Sequence, residues 1–162
     1  MFDQADLFDT LHNLPWFMEL PADQIDKLAS ISRLYQLSAG EVLFQEFDKS
    51  DYMYFLLEGE VELNIQVPSC GQIAIYDAQP LDVIGWDQLT PVIRQRFGSA
   101  RAKQSSLLIA MNAEALRKLC DEDHEIGLVV YRRLANVEAS RMLNIRLVMS
   151  DALIKHTQLP MP

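Results

Sequence analysis

The sequence has few basic residues for its number of acidic ones. Its 14 lysines and arginines stand against 23 aspartates and glutamates, which gives a formal net charge of −9. Proteins that bind nucleic acid or anionic membrane surfaces use lysine and arginine to neutralise phosphate charge. The deficit therefore predicts no direct DNA binding and no membrane association.

Long hydrophobic runs are also missing. No run approaches the roughly 18 consecutive apolar residues that a transmembrane helix needs. The first ten residues, MFDQADLFDT, carry acids where a secretory signal needs bases and an apolar stretch. These two absences predict a cytoplasmic chain.

Cysteine and histidine are scarce. The two cysteines, Cys70 and Cys120, are not spaced as metal ligands, and we predict buried or unreactive thiols. The three histidines lie outside every predicted strand, whereas a jelly-roll metalloenzyme needs histidines close together on strands. These are His12, His124 and His156. We therefore predict no enzyme activity, no cofactor and no metal.

The apolar residues indicate one globular domain over residues 1–162. Nearly half of the chain is apolar, enough to bury a core. Residues 1–31 have the periodicity of helices, with a break at Pro15. Residues 32–111 contain many short alternating runs separated by turns, as in Val61, Leu63, Ile65 and Val67. This spacing predicts a mainly β domain, a β-roll or jelly roll with flanking helices.

Residues 112–153 return to helical periodicity. Asn112 is a suitable N-cap for a short helix, and a long helix follows from about Glu122 to Leu153. One apolar stripe of the long helix has coiled-coil-like spacing and predicts a dimer contact, whereas a second stripe would face the roll. The first comprises Val130, Leu134, Val137, Arg141, Asn144 and Val148, and the second Leu128, Ala135, Met142, Met149 and Leu153. The alternative is a single helix lying on the roll.

The segment from Gly85 to Arg96, which we call the cassette, is a candidate anion site. A short apolar run ends at Gly85, a helical turn follows, and Arg96 precedes the small residues that begin the next strand. Amides at a helix start attract anions, and a guanidinium binds phosphate oxygens in a fork. The alternative is an ordinary surface loop with a solvated arginine.

Several segments together resemble the cyclic nucleotide-binding domain family, best known from the sensor halves of catabolite-activator-type regulators. They are Ala39–Phe44, Tyr52–Val61, Val83–Gly85 and Arg96. The resemblance implies an eight-stranded β-roll with flanking helices and a long C-terminal helix. It also implies a helix-turn-helix after that helix, but the sequence ends soon after Leu153, which again predicts no DNA binding.

The resemblance also implies roles for particular residues. Gly85 corresponds to the glycine of the phosphate-binding cassette, and Arg96 to the arginine that neutralises the cyclic phosphate. Trp86 stands where the family has a glutamate that accepts from the ribose hydroxyl, and Asp87 follows it. Phe97 replaces a serine or threonine, and Arg141 lies near the position that faces the base. The usual glycines near Phe47 and Leu81 are missing.

Two functions remain open from the sequence. The first is a sensor that binds cyclic AMP, cyclic GMP or another small anion in the roll through Gly85, Trp86, Asp87, Arg96, Phe97 and Arg141, and signals through the C-terminal helix. The second is a degenerate domain without ligand that acts as a dimerisation or protein-interaction module. Both include a homodimer formed by the long helix, and both allow a protein partner.

Overall fold

The computed structural model describes residues 4–68, 70–90 and 95–157, without the side chains of residues 4, 5, 156 and 157. Two helices come first, α1 (Gln4–Asn13) and α2 (Ala22–Ser30). The strands are β1 (Ser32–Leu37), β2 (Val42–Phe44), β3 (Tyr52–Glu58), β4 (Val61–Val67), β5 (Gly71–Ala78), β6 (Val83–Ile84), β7 (Ser99–Ala102) and β8 (Ser106–Asn112). A short 3-10 helix (Trp86–Leu89) follows β6, and α3 (Ala113–Glu122) and α4 (His124–Thr157) follow β8.

The strands form two four-stranded antiparallel sheets, in the orders β1-β8-β3-β6 and β2-β7-β4-β5. The predicted β-roll with flanking helices and a long C-terminal helix is therefore confirmed. The inward side chains of the two sheets pack as one core. Its members include Phe44, Tyr54, Leu56, Val61, Ile84, Ala100, Leu108 and Ala110.

The first sheet is buried on both faces, which explains the aromatic and aliphatic run in β3. Tyr54 and Leu56 point into the roll, while Met53 and Phe55 point outward and contact the helices. Phe55 packs edge-on against Trp16 and Phe17 in the turn between α1 and α2. The helices thus cover one side of the roll, and the cassette lies where this layer meets the roll interior.

The predicted start of the C-terminal helices is confirmed at Asn112. Its side-chain oxygen accepts a hydrogen bond from the backbone N–H of Ala115 at 2.8 Å. At the start of α4, Asp123 accepts from the N–H of Ile126 and pairs with Lys27, and the Lys27 hydrogen bond lowers the pKa of this carboxyl. No described helix is long and apolar enough to cross a membrane.

The predicted roles of the two α4 stripes were wrong, because the structure exchanges them. Val130, Leu134 and Arg141, assigned to the dimer contact, are buried against the roll. Leu128, Met142 and Leu153, assigned to the roll, are more than half exposed. The assignment rested on the coiled-coil-like spacing of the first stripe, but that spacing also suits a helix face that packs on the roll.

Two turns use left-handed backbone at residues other than glycine. Phe47 has a φ of 69° and Leu81 a φ of 80°. These are the two places where the family resemblance leads one to expect a nearby glycine. Both turns therefore have a backbone geometry that glycine adopts without steric cost, although neither residue is glycine.

Candidate functional site

The cassette begins with a left-handed turn that only glycine fits. Gly85 has a φ of 73° and joins β6 to the 3-10 helix. A Cβ at this position would lie 2.3 Å from Nη1 of Arg96. The guanidinium therefore packs directly on the glycine. Pro91 and Arg94, at the centre of the cassette, lie outside the described residues.

Arg96 is fully buried, and both of its terminal nitrogens are occupied by the protein itself. Nη1 donates to the carbonyl oxygen of Gly85 at 2.7 Å and to Oδ1 of Asp87 at 2.5 Å. Nη2 donates to Oγ of Ser50 at 2.9 Å and to the carbonyl oxygen of Tyr52. The guanidinium carbon lies 4.1 Å from the centre of the Phe44 ring. A solvated loop arginine is therefore excluded.

Asp87 supplies the charge that balances Arg96. Its side chain is 3% exposed, and its second oxygen accepts from the backbone N–H of Phe97 at 3.4 Å. From the sequence, this residue was considered as a replacement for the family's ribose-binding glutamate. In the structure it faces Arg96 instead, so the guanidinium is bound by a carboxylate of the protein itself.

A small cavity lies in the roll beside the described residues of the cassette. Its volume is about 30 Å³, room for one or two water molecules. Its lining includes Phe44, Leu63, Trp86, Asp87 and Phe97. Trp86 and Phe97, which replace polar residues of the family, lie with ring centres 5.3 Å apart. Small-molecule sites typically offer about 300–1,000 Å³, at least about ten times the volume of this cavity.

On the helix side of the same aromatic pair lies a larger cleft of about 270 Å³, which we call the helix cleft. It is lined by Trp86, Phe97, Glu138, Arg141, Met142 and Ile145. The four α4 residues are spaced i, i+3, i+4 and i+7, which places them on one face of the helix. Of these, sequence reasoning singled out Arg141 for the site and placed Met142 nearby, but it missed Glu138 and Ile145. The spacing of these residues at i, i+3, i+4 and i+7 was the sequence signal that could have identified Glu138 and Ile145.

Arg141 is buried without an ion pair. Its Nη2 donates to the carbonyl oxygen of Val83 at 3.2 Å, and its guanidinium carbon lies 3.4 Å from the centre of the Tyr76 ring. Nη1 is buried and has no hydrogen-bond partner among the described residues. Burial lowers the pKa of this guanidinium, because the charged form loses hydration.

Glu138 is half-buried, and its Oε1 is enclosed without a partner among the described residues. Burial raises the pKa of its carboxyl, Arg141 opposes that shift, and Asp87 adds to it. Glu138 and Arg141 thus each have one enclosed polar atom that the described residues leave unsatisfied.

The cysteines and acids form no other chemical centre among the described residues. Burial raises the pKa of the Cys120 thiol to about 12, so it is unreactive near neutral pH, whereas Cys70 is exposed. No group of three or more histidines, cysteines or acids in the described ranges is placed to hold a metal ion.

Comparison with known proteins places this geometry in a family. The family model for the cyclic nucleotide-binding domain matches residues 34–123. Among curated proteins none matches the chain. A cyclic nucleotide-binding domain from Methylobacillus flagellatus superposes with a TM-score of 0.75 at 19% identity, covering 91% of this chain and 83% of that one.

Two further solved structures have the same fold. The sensor domain of the transcriptional regulator DNR from Pseudomonas aeruginosa has a TM-score of 0.72 at 18% identity, covering 88% of this chain and 95% of that one. The regulatory domain of Toxoplasma gondii PKA, solved with cAMP, has a TM-score of 0.70 at 17% identity, with coverages of 85% and 49%. With more than half of its length matched by the family model, the chain belongs to the cyclic nucleotide-binding domain family.

Proposed function

We propose that this chain is a non-catalytic regulatory domain whose roll takes no cyclic nucleotide and whose long helix is its interaction surface. One observation carries the first part, namely the Asp87 carboxylate 2.5 Å from Nη1 of the fully buried Arg96. A ligand phosphate would have to displace this carboxylate and leave it buried without its partner, which is costly. The small cavity of about 30 Å³ beside the cassette also disfavours nucleotide binding, and so does Trp86 in place of the family's glutamate.

Calorimetry with cyclic AMP and cyclic GMP tests this part. We expect no saturable heat at millimolar ligand, because the guanidinium is already neutralised by Asp87. The positive control is any cyclic nucleotide-binding domain of known affinity, measured with the same ligand solutions.

The cyclic nucleotide sensor is the second candidate, and one observation favours it. Gly85 and Arg96, which the family resemblance assigns to the phosphate-binding cassette, lie in direct contact. If this function is correct, binding is micromolar or tighter and disappears in Arg96→Lys, which keeps the charge but cannot form the fork. That result would refute the proposal that the roll takes no cyclic nucleotide.

The second part of the proposal rests on the C-terminal half of α4. After Arg141 no described side chain of this helix is fully buried, although Met142, Asn144 and Ile145 still line clefts against the roll. Several residues after Arg141 are large, apolar and more than half exposed, namely Met142, Leu143, Leu147, Leu153 and Ile154. An apolar surface of this kind marks an interaction site.

A second copy of the chain is a partner that charge permits. The molecule as a whole is strongly acidic, but α4 carries five bases and three acids, so two paired helices bring only a small net charge together. The bases are Arg132, Arg133, Arg141, Arg146 and Lys155, and the acids Glu125, Glu138 and Asp151. We therefore propose a homodimer formed through the helix residues that follow Arg141.

Sedimentation velocity tests the dimer. We expect the wild-type chain at micromolar concentration to sediment with about twice the monomer mass of 18.5 kDa. Leu147→Glu buries a charge in the paired surface and should give a monomer. The control Gln104→Glu adds the same charge at an exposed position of the roll and should remain dimeric. A monomeric wild type, or a dimeric Leu147→Glu, would contradict this contact.

A further inference from the structure

The 3-10 helix of the cassette has two faces that contact different parts of the molecule. Asp87 faces the roll, where its Oδ1 lies 2.5 Å from Nη1 of Arg96. Trp86 and Leu89, before and after it in the chain, are buried in the core that the roll forms with the helices. One turn of chain therefore connects the guanidinium in the roll to the helical layer.

Hydrogen bonds join the same region to both C-terminal helices. Nη1 of Arg117, on α3, donates to the carbonyl oxygen of Gln88 at 2.9 Å. Nη2 of Arg141, on α4, donates to the carbonyl oxygen of Val83, on β6, at 3.2 Å. The position of the 3-10 helix relative to Arg96 thus sets where its apolar side chains meet α3 and α4.

The roll side of the 3-10 helix is held by charge. A buried guanidinium needs an anionic partner, and among the described residues Asp87 is the only carboxylate within 4.0 Å of Arg96. The second oxygen of Asp87 accepts from the backbone N–H of Phe97 at 3.4 Å. One carboxylate therefore binds both the arginine side chain and the backbone that follows it. Two oxygens of a phosphate would make the same kinds of contact.

We propose that Asp87 is a built-in substitute for an anionic ligand. Its carboxylate occupies Arg96 permanently and keeps the cassette against α3 and α4 with no need for a bound molecule. The contact between the cassette and the helices is therefore constitutive. A ligand shifts a conformation only by binding one state better, and Asp87 leaves it no free guanidinium. This role rests on the proposed function, because a roll that bound a cyclic nucleotide would separate Asp87 from Arg96.

An ion pair with a structural role alone makes a different prediction from a ligand substitute. Asp87→Ala removes the carboxylate from Nη1 of Arg96 and from the N–H of Phe97, next to a cavity of about 30 Å³. If Asp87 stands in for a ligand, a small oxyanion should bind in its place and return the cassette to the helices. If the pair is only structural, stability is lost and no added anion restores the cassette.

The emission of Trp86 measures the position of the cassette against α4. The chain has two tryptophans, and Trp16→Phe leaves Trp86, which lines the helix cleft, as the only emitter. In this single-tryptophan parent, Asp87→Ala should shift the emission to longer wavelength, because the released 3-10 helix exposes the indole to water. Inorganic phosphate at roughly millimolar concentration should return the emission saturably to that of the parent. The parent itself should not respond.

Matched variants separate a bound anion from a general salt effect, since phosphate also stabilises folded proteins by exclusion from their surfaces. The double variant Asp87→Ala with Arg96→Met has no guanidinium and should not respond to phosphate. Sodium chloride at the same ionic strength should leave Asp87→Ala unchanged. Asp87→Ser keeps one hydrogen-bond acceptor and should respond like Asp87→Ala, so the test does not depend on the stability of a single variant.

The outcomes for Asp87 and for the roll are distinguishable. If neither Asp87→Ala nor Asp87→Ser responds to phosphate, or if the double variant responds as strongly, Asp87 is not a ligand substitute. That result would leave the proposed function intact, because the cyclic nucleotide titrations of the unmodified chain test it separately. Saturable binding of a cyclic nucleotide by the unmodified chain would overturn both.

Discussion

Replacing Asp87 by alanine is expected to lower the free energy of unfolding by about 3–5 kcal/mol, the usual cost of breaking a buried ion pair by removing one partner. Arg96 is fully enclosed and Asp87 nearly so, with 2.5 Å between Nη1 and Oδ1. Without the carboxylate, a buried guanidinium keeps only neutral acceptors from Ser50, Tyr52 and Gly85. Urea unfolding followed by circular dichroism measures the change.

The matched control removes a carboxylate from a surface ion pair. Asp77 lies 3.1 Å from Nζ of Lys103, and both side chains are more than 40% exposed. Asp77→Ala should change stability by less than about 1 kcal/mol, as exposed pairs do. If both variants lose equally little stability, the Asp87–Arg96 pair does not hold the cassette. The proposal that the roll takes no cyclic nucleotide then loses its main support.

Gly85→Ala is expected to destabilise the fold by about 2–5 kcal/mol, from two costs that add. A left-handed backbone costs a residue other than glycine about 1–2 kcal/mol. The new Cβ would also lie 2.3 Å from Nη1 of Arg96, whose side chain is fixed by several hydrogen bonds, and overpacking of this kind costs about 1–3 kcal/mol. Urea unfolding again measures the loss.

Gly40 separates the two costs. It has a similar φ of 81°, but a Cβ there would meet no atom within 4 Å. Gly40→Ala should therefore show only the backbone cost, about 1–2 kcal/mol. Equal losses in the two alanine variants would mean that the guanidinium moves away easily, and that Arg96 is not held against the cassette.

Local chemistry made several parts of the site predictable. The turn at Gly85, the single helical turn after it and the position of Arg96 before β7 all follow from residue types at short spacing. The N-cap at Asn112 was equally local. These features depend on neighbours in the chain, so a sequence contains the information for them directly.

The partners of the charged residues were not predictable in the same way. Asp87 and Arg96 are nine residues apart, and nothing in their spacing shows that the turn brings one onto the other. The environment of Arg141 depends on β5 and β6, more than fifty residues earlier in the chain. An arginine in a helical stripe reads as exposed until the packing of the sheet is known.

The sequence by itself determined the class of fold, the family resemblance and the net acidic charge. Alternation, turns and charge composition are properties of short segments or of sums over the chain. Only the tertiary structure decided that Arg96 is neutralised from within, that Trp86 and Phe97 line the small cavity beside it, and which face of α4 is buried. These facts depend on which distant surfaces meet, because burial and charge pairing are set by three-dimensional contact.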